Sequence, residues 1–130
     1  METGKEIGRG AWRVVYEHPD DPGLVIKKIT LDYNKLTKED LNKIKDGYNP
    51  NLQEWLIWQK YKKTRHWEIL CPCVSISEDH RFLVMKRALN TNRKYIWKLP
   101  REIRDYRCTT NWGILGNRVV IIDYGDVVKV

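Results

Sequence analysis

Cysteine is scarce in this chain, and long apolar runs, internal repeats and low-complexity tracts are missing. Three cysteines in 130 residues do not make the framework of a stapled secreted domain; they suit free thiols in a reducing compartment. No apolar stretch approaches the ~20 residues of a membrane-spanning helix. The opening Met1-Glu2-Thr3-Gly4-Lys5-Glu6 carries acids and no apolar core, which argues against a secretory signal. The expected location is therefore the cytoplasm, with no membrane partner. With no repeats, the length is that of one domain around a single core, spanning 1–130. A composition of 42% hydrophobic and 32% charged residues excludes a disordered tail. Six tryptophans offer large surfaces for a small core to bury.

The net charge is +7, which favours polyanionic partners: nucleotides, nucleic acid or acidic protein surfaces. Residues 1–28 balance, and the excess is spread over the remainder. The one dense run is Lys60, Lys62, Lys63 and Arg65. It reads first as a solvated helix end, where cations complement the dipole, and only second as a nucleic-acid patch.

Ile7 to Tyr16 contains two glycines and then a β-branched, aromatic run, which predicts a strand bent at glycine followed by a second strand. His18 to Gly23 is a turn by composition. Leu24 to Ile29 is a third strand, so the three form an antiparallel meander. Thr37, with Asp40 three residues on, predicts a capped short helix that ends near Asp46-Gly47. Asn49-Pro50 opens a stronger helix running to about Arg65, with Leu52, Trp55, Leu56 and Gln59 sharing one face. Two strands are expected over Ile69–Ile76 and Arg81–Lys86, a short helix over Arg93–Lys98, and a hairpin from Trp112 to Asp123. The last strand, Val119 to Ile122, is apolar throughout and is expected to be buried on both faces. The fold class is α+β.

Four features stand in an order that carries chemistry. A glycine-bearing loop, Gly8 and Gly10, lets backbone amides approach phosphate oxygens. Lys27, on the strand after it, can neutralise phosphate charge. Glu54, on a helix, can hold that lysine. Asp123, at the end of a buried strand and before a glycine, can offer oxygen ligands to Mg²⁺.

In these residues the chain resembles a protein kinase-like domain. Ile7 to Tyr16 follows the glycine-rich loop, with Gly8, Gly10 and Val15 in place and Arg13 where the third glycine belongs. Leu24-Val25-Ile26-Lys27 resembles the V-A-I-K strand, which implies that Lys27 contacts phosphate and that Glu54 is its ion-pair partner. Phe82 to Met85 resembles the strand leading to the hinge, with Met85 as gatekeeper and Lys86 to Ala88 lying along the adenine. Asp123-Tyr124-Gly125 resembles D-F-G. Ile103-Arg104-Asp105 stands where kinases carry His-Arg-Asp, with isoleucine in the histidine position. Asn111 follows Asp105 by six residues, where the kinase pattern has five.

The resemblance implies ATP and Mg²⁺ as ligands, Asp105 and Lys27 as catalytic residues, and Asn111 with Asp123 as the metal pair. It implies a kinase-like nucleotide lobe, a five-stranded antiparallel sheet with one main helix. A short helix and terminal hairpin are expected in place of a full helical lobe. With so few residues after Gly125, only the nucleotide-binding half of a kinase is expected. In size the chain is similar to small phage-encoded proteins with trimmed kinase-like domains, which would place it in a host cytoplasm. The expected function is that of an ATP/Mg-binding protein with weak or degenerate phosphotransferase activity. The alternative is a non-catalytic protein that uses the scaffold to modulate a partner enzyme. A surface around Trp97, Leu99 and Ile103 is expected to pair with a protein partner or a second copy.

Several readings stay open at single residues. Arg13 closes on a phosphate, fills and blocks the pocket, or is an exposed strand residue. Glu54 pairs with Lys27, or with a surface lysine such as Lys62. Trp12, at the loop tip, is expected to be exposed. Cys71-Pro72-Cys73 places two thiols on one strand face as buried hydrophobes; a zinc site would need His66 and Cys108 as well.

Overall fold

Short β-branched runs bounded by glycine and turn residues form strands here, and the two capped segments form helices. In the computed structural model the described residues are 1–64, 67–90 and 112–124. The strands are β1 (Glu6–Arg9), β2 (Arg13–Glu17) and β3 (Leu24–Ile29), followed by helices α1 (Lys38–Lys45) and α2 (Pro50–Tyr61). Then come a 3-10 turn (Trp67–Ile69), β4 (Cys73–Ile76), β5 (Phe82–Lys86), β6 (Leu89–Asn90), β7 (Trp112–Leu115) and β8 (Arg118–Ile121). The fold is α+β. Its main sheet has five antiparallel strands in the order β1-β2-β3-β5-β4, and a second sheet has the order β6-β7-β8. No helix among the described residues is long and apolar enough to cross a membrane.

Both helices start as their caps dictate. The Thr37 side chain accepts from the Asp40 amide while the Asp40 carboxylate accepts from the Thr37 amide, the reciprocal capping box. Asn49 caps α2 by accepting from the Leu52 amide at 3.1 Å, with Pro50 in the first turn. Beyond α1 the chain turns at Gly47, whose φ of 80° suits a residue without a Cβ.

Three expectations need correction. Helix α2 ends at Tyr61, capped by Lys62, before Arg65. The expected strand over Ile69–Ile76 begins only at Cys73: the Trp67–Ile69 turn precedes it, and Pro72 has no amide to give a ladder. The apolar face of α2 was also misplaced. Leu56 is half exposed, and the buried positions are Pro50, Asn51, Glu54, Ile57 and Tyr61. Two of these are polar because that face meets charged residues rising from the sheet. The predicted helix over Arg93–Lys98 and the surface around Trp97, Leu99 and Ile103 lie outside the described residues.

Register decides what faces α2. Val15 pairs with Lys27 and Lys27 with Leu83, while Val25 pairs with Met85 and Met85 with Cys73. Paired residues project to the same side, so these form one face. Val25, Leu83, Met85 and Cys73 join Ile57 and Tyr61 of α2 in the principal core. The alternate residues Val14, Ile26 and Val84 are buried too, so the central strands are covered on both faces. The β7–β8 hairpin completes the core with Trp112, Val120 and Ile121, all within 1% of full burial.

The hairpin is tied to the segment before β4. Leu70 forms a parallel bridge with Ile121, and the Cys71 amide donates to the Ile121 carbonyl at 2.9 Å. This tie fixes the exit of β8, and hence Ile122, Asp123 and Tyr124, beside α2. Gly113 in β7 permits the close approach of β6. A Cβ there would lie 2.8 Å from the Ala88 Cβ and 2.9 Å from the Leu89 carbonyl oxygen.

Candidate functional site

Lysine and glutamate of opposite charge, on a strand and a helix that pack together, will pair if the register brings them face to face. Here it does. Lys27 is 5% exposed and Glu54 fully buried, and the Lys27 ammonium lies 2.5 Å from Glu54 Oε1. Lys27 also donates to the Ile122 carbonyl oxygen, which joins the hairpin to the pair. Lys28, on the opposite face, stacks its ammonium over the Phe82 ring. The alternative pairing of Glu54 with Lys62 is excluded, since Lys62 donates instead to Gln59 at 2.6 Å.

A buried carboxylate needs its remaining lone pairs satisfied as well as a cation beside it, and Glu54 has a second cation. Arg13 is 9% exposed. Its guanidinium donates to Glu54 Oε1 at 3.2 Å and Oε2 at 3.1 Å, to Asn51 Oδ1 at 3.1 Å, and to Asp123 Oδ1 at 2.9 Å. The Tyr124 amide donates the remaining bond to Glu54 Oε2 at 3.0 Å. Burial would lower the Arg13 pKa, but the fields of Glu54 and Asp123 outweigh it and hold the pKa well above its ordinary value. The reading of Arg13 as an exposed strand residue is thus overturned: its position puts it on the same face as Val15 and Lys27.

Asn51 was missed by the sequence reading. Fully buried, it donates to the carbonyls of Lys27 and Arg81, each at 3.0 Å, and of His80 at 3.2 Å, while accepting from Arg13. It thus fixes the start of α2 to β3 and to the turn before β5. The one signal available was its placement three residues before Glu54, on the same helix face.

Beside this cluster lies a cavity of about 630 Å³, within the range of small-ligand sites. Its lining includes the loop residues Gly8, Gly10 and Val15, the apolar Val25, Met85 and Ala88, and the charged Lys27 and Asp123. Of the residues singled out from sequence, Gly8, Gly10, Val15, Lys27, Met85, Ala88 and Asp123 therefore line one space, and Glu54 stands directly behind Lys27. Asp105 and Asn111 lie outside the described residues. Trp12 also lines the cavity and is not the exposed tip expected of it. It is half-buried, edge-on to Tyr48 at 5.2 Å between ring centres.

No protein-family model matches the chain, and no curated protein matches it in sequence.

The site's own chemistry therefore has to carry the reading. Among the described lining residues Arg9, Arg13, Lys27, Lys86 and Arg87 are cationic and Asp123 alone is a carboxylate. Two of those cations have outer partners, Glu6 for Arg9 and Glu17 for Arg87. Apolar Val15, Val25 and Met85 beside the cations Lys27 and Arg13 suit a flat, weakly polar group joined to an anion.

Behind it sit the two thiols. Cys71 is fully buried and Cys73 nearly so, with Cys73 Sγ 3.2 Å from the Tyr124 hydroxyl, which itself donates to the Cys71 carbonyl at 2.7 Å. Burial pushes both thiols up to about 12 and the Tyr124 hydroxyl well above its ordinary value. They are packing residues, and Tyr124 anchors the hairpin exit that carries Asp123. No group of three or more His, Cys, Asp or Glu among the described residues is arranged to hold a metal ion.

Proposed function

We propose that the cleft binds a nucleoside polyphosphate such as ATP, and that the chain is a minimal protein kinase-like domain. One observation carries the reading. Lys27, paired with Glu54, lines a cavity whose walls include Gly8, Gly10, Val15, Met85, Ala88 and Asp123 from the kinase-like motifs. Val15, Val25 and Met85 would hold the base by apolar contact. The amides around Gly8 and Gly10, with Lys27, would receive phosphate oxygens.

A phosphoryl donor bound there would supply a transferable group with its own leaving group. The chain's part would be to orient that group and balance its charge. Asp123 was expected to hold Mg²⁺ with Asn111; Asn111 lies outside the described residues and the Asp123 carboxylate is engaged by Arg13, so the described residues fit a divalent cation poorly and no step is derived through one. The same contact favours a second reading, a non-catalytic scaffold that modulates a partner protein.

Thermal unfolding with millimolar ATP tests the proposal. A ligand at about ten times its Kd stabilises the folded state by about 1.4 kcal/mol, roughly 5 °C for a domain of this size. The wild type should show such a shift, and Lys27→Met, checked for native circular dichroism, should not. No shift in the wild type would remove the nucleotide reading and leave the scaffold reading.

A further inference from the structure

We propose that nucleotide binding in this cleft requires no divalent cation, because Arg13 supplies beside Asp123 the positive charge that a metal would otherwise bring. This rests on the nucleotide reading above.

Arg13 is a fixed cation. Asn51 and both oxygens of Glu54 hold its guanidinium from the helix side, at 3.1 to 3.2 Å. Only the N–H directed at Asp123 Oδ1, at 2.9 Å, meets a group that is itself substantially exposed, the Asp123 side chain being 45% accessible. That N–H is the one a phosphate oxygen can take over. Asp123 then turns to water, while Asn51 and Glu54 keep the guanidinium in place.

A divalent cation faces the opposite situation. It would have to share Asp123, the single carboxylate among the described lining residues, with a guanidinium that cannot retreat. It would also sit beside that fixed like charge. Mg²⁺ gives up its water reluctantly and is usually held by carboxylates together with phosphates, so one contested carboxylate is a weak claim on it. Arg13 and Lys27 both line the cavity, so a phosphate has cationic partners in protein.

Calorimetric titration of ATP in EDTA and in excess Mg²⁺ separates the possibilities. The wild type should bind with Kd values within about threefold of each other in the two conditions. Asp123→Asn, which removes the competitor for Arg13, should tighten binding in EDTA by about threefold or more. Arg13→Ala should weaken it in EDTA by about tenfold or more. If Arg13→Ala does not fold, the wild-type and Asp123→Asn titrations decide alone. A wild type that needs Mg²⁺ by about tenfold or more, or weaker binding by Asp123→Asn, overturns the inference and leaves nucleotide binding standing. No binding in either condition overturns the nucleotide reading and this inference with it.

Discussion

Glu54 is the residue on which the site turns. It is fully buried, yet it receives Lys27, two N–H groups of Arg13 and the Tyr124 amide. A buried carboxylate so supplied is compensated rather than strained, and removing a partner would leave charge without an answer in low dielectric. The neighbouring thiols show the same dielectric from the other side. Burial raises Cys71 and Cys73 from 9.0 to about 12, so between those values the unfolded chain releases thiol protons that the folded chain keeps. The folded state then binds more protons than the unfolded one, and stability must fall as pH rises. Urea unfolding should give constant stability through neutral pH and a progressive loss from about pH 9 upward. Substituting both cysteines with alanine, though it lowers stability overall through lost packing, should flatten that alkaline slope. A slope unchanged in the double variant would assign it to Tyr124 or other groups. In the native protein Cys71 and Cys73 should also react with an aromatic disulfide reagent far more slowly than in the urea-unfolded chain.

Among the elements, α2 does the most positioning. It carries Asn51 and Glu54 on the face toward the sheet, with Ile57 and Tyr61 continuing into the core. The two N–H groups of Asn51 reach three carbonyls of other segments; Arg81 keeps the Ile29 amide and His80 the Asn49 side chain without them, so Asn51→Ala acts mainly by breaking this tie and by taking an acceptor from Arg13. A cost of about 2–3 kcal/mol is expected, the range for a lost charge-assisted bond in a buried site. Thr37→Ala, which removes an exposed cap from α1, should cost only about 1 kcal/mol. Equal losses in urea denaturation would show that Asn51 is not the tie described here. The elements also show what could be read in advance. The meander, both caps, the β4–β5 pair and the terminal hairpin follow from local signals: glycine placement, cap residues and β-branched runs. The Lys27–Glu54 contact was expected because each residue had a distinct element and a place in the motif order. The face of α2 was not, because a helix that buries Asn51 and Glu54 and exposes Leu56 inverts the usual apolar pattern. Arg13 sits two residues before Val15 and so shares its face. Alternation alone could have placed it beside Lys27, but its contact with Asp123 depends on a partner 110 residues away.

At the scale of the whole molecule, a net charge of +7 and a cleft lined by five cations raise two distinct expectations for anions. A polyanion held by surface charge, such as nucleic acid along Lys60 to Lys63, would bind with steep salt dependence and little regard for what joins its phosphates. A nucleotide in the cleft would be held at two ends, by Val15, Val25 and Met85 at one and by Lys27 and Arg13 at the other. Each end contributes on its own, so removing either should weaken binding without abolishing the contribution of the other. Affinity should accordingly fall in the order ATP, ADP, AMP, with about a tenfold loss for each fixed cation left without a phosphate, since a charge-assisted bond in a partly buried site is worth ~1.5 kcal/mol. Inorganic triphosphate, which lacks the base, should bind more weakly than ATP by a comparable factor. Competition against a fluorescent nucleotide at two salt concentrations measures both quantities together. Triphosphate competing as well as ATP would mean that the apolar lining contributes nothing and that the site is a general anion patch. An affinity that collapses with salt for every ligand alike, and is shared by single-stranded oligonucleotides, would move binding from the cleft to the surface of α2.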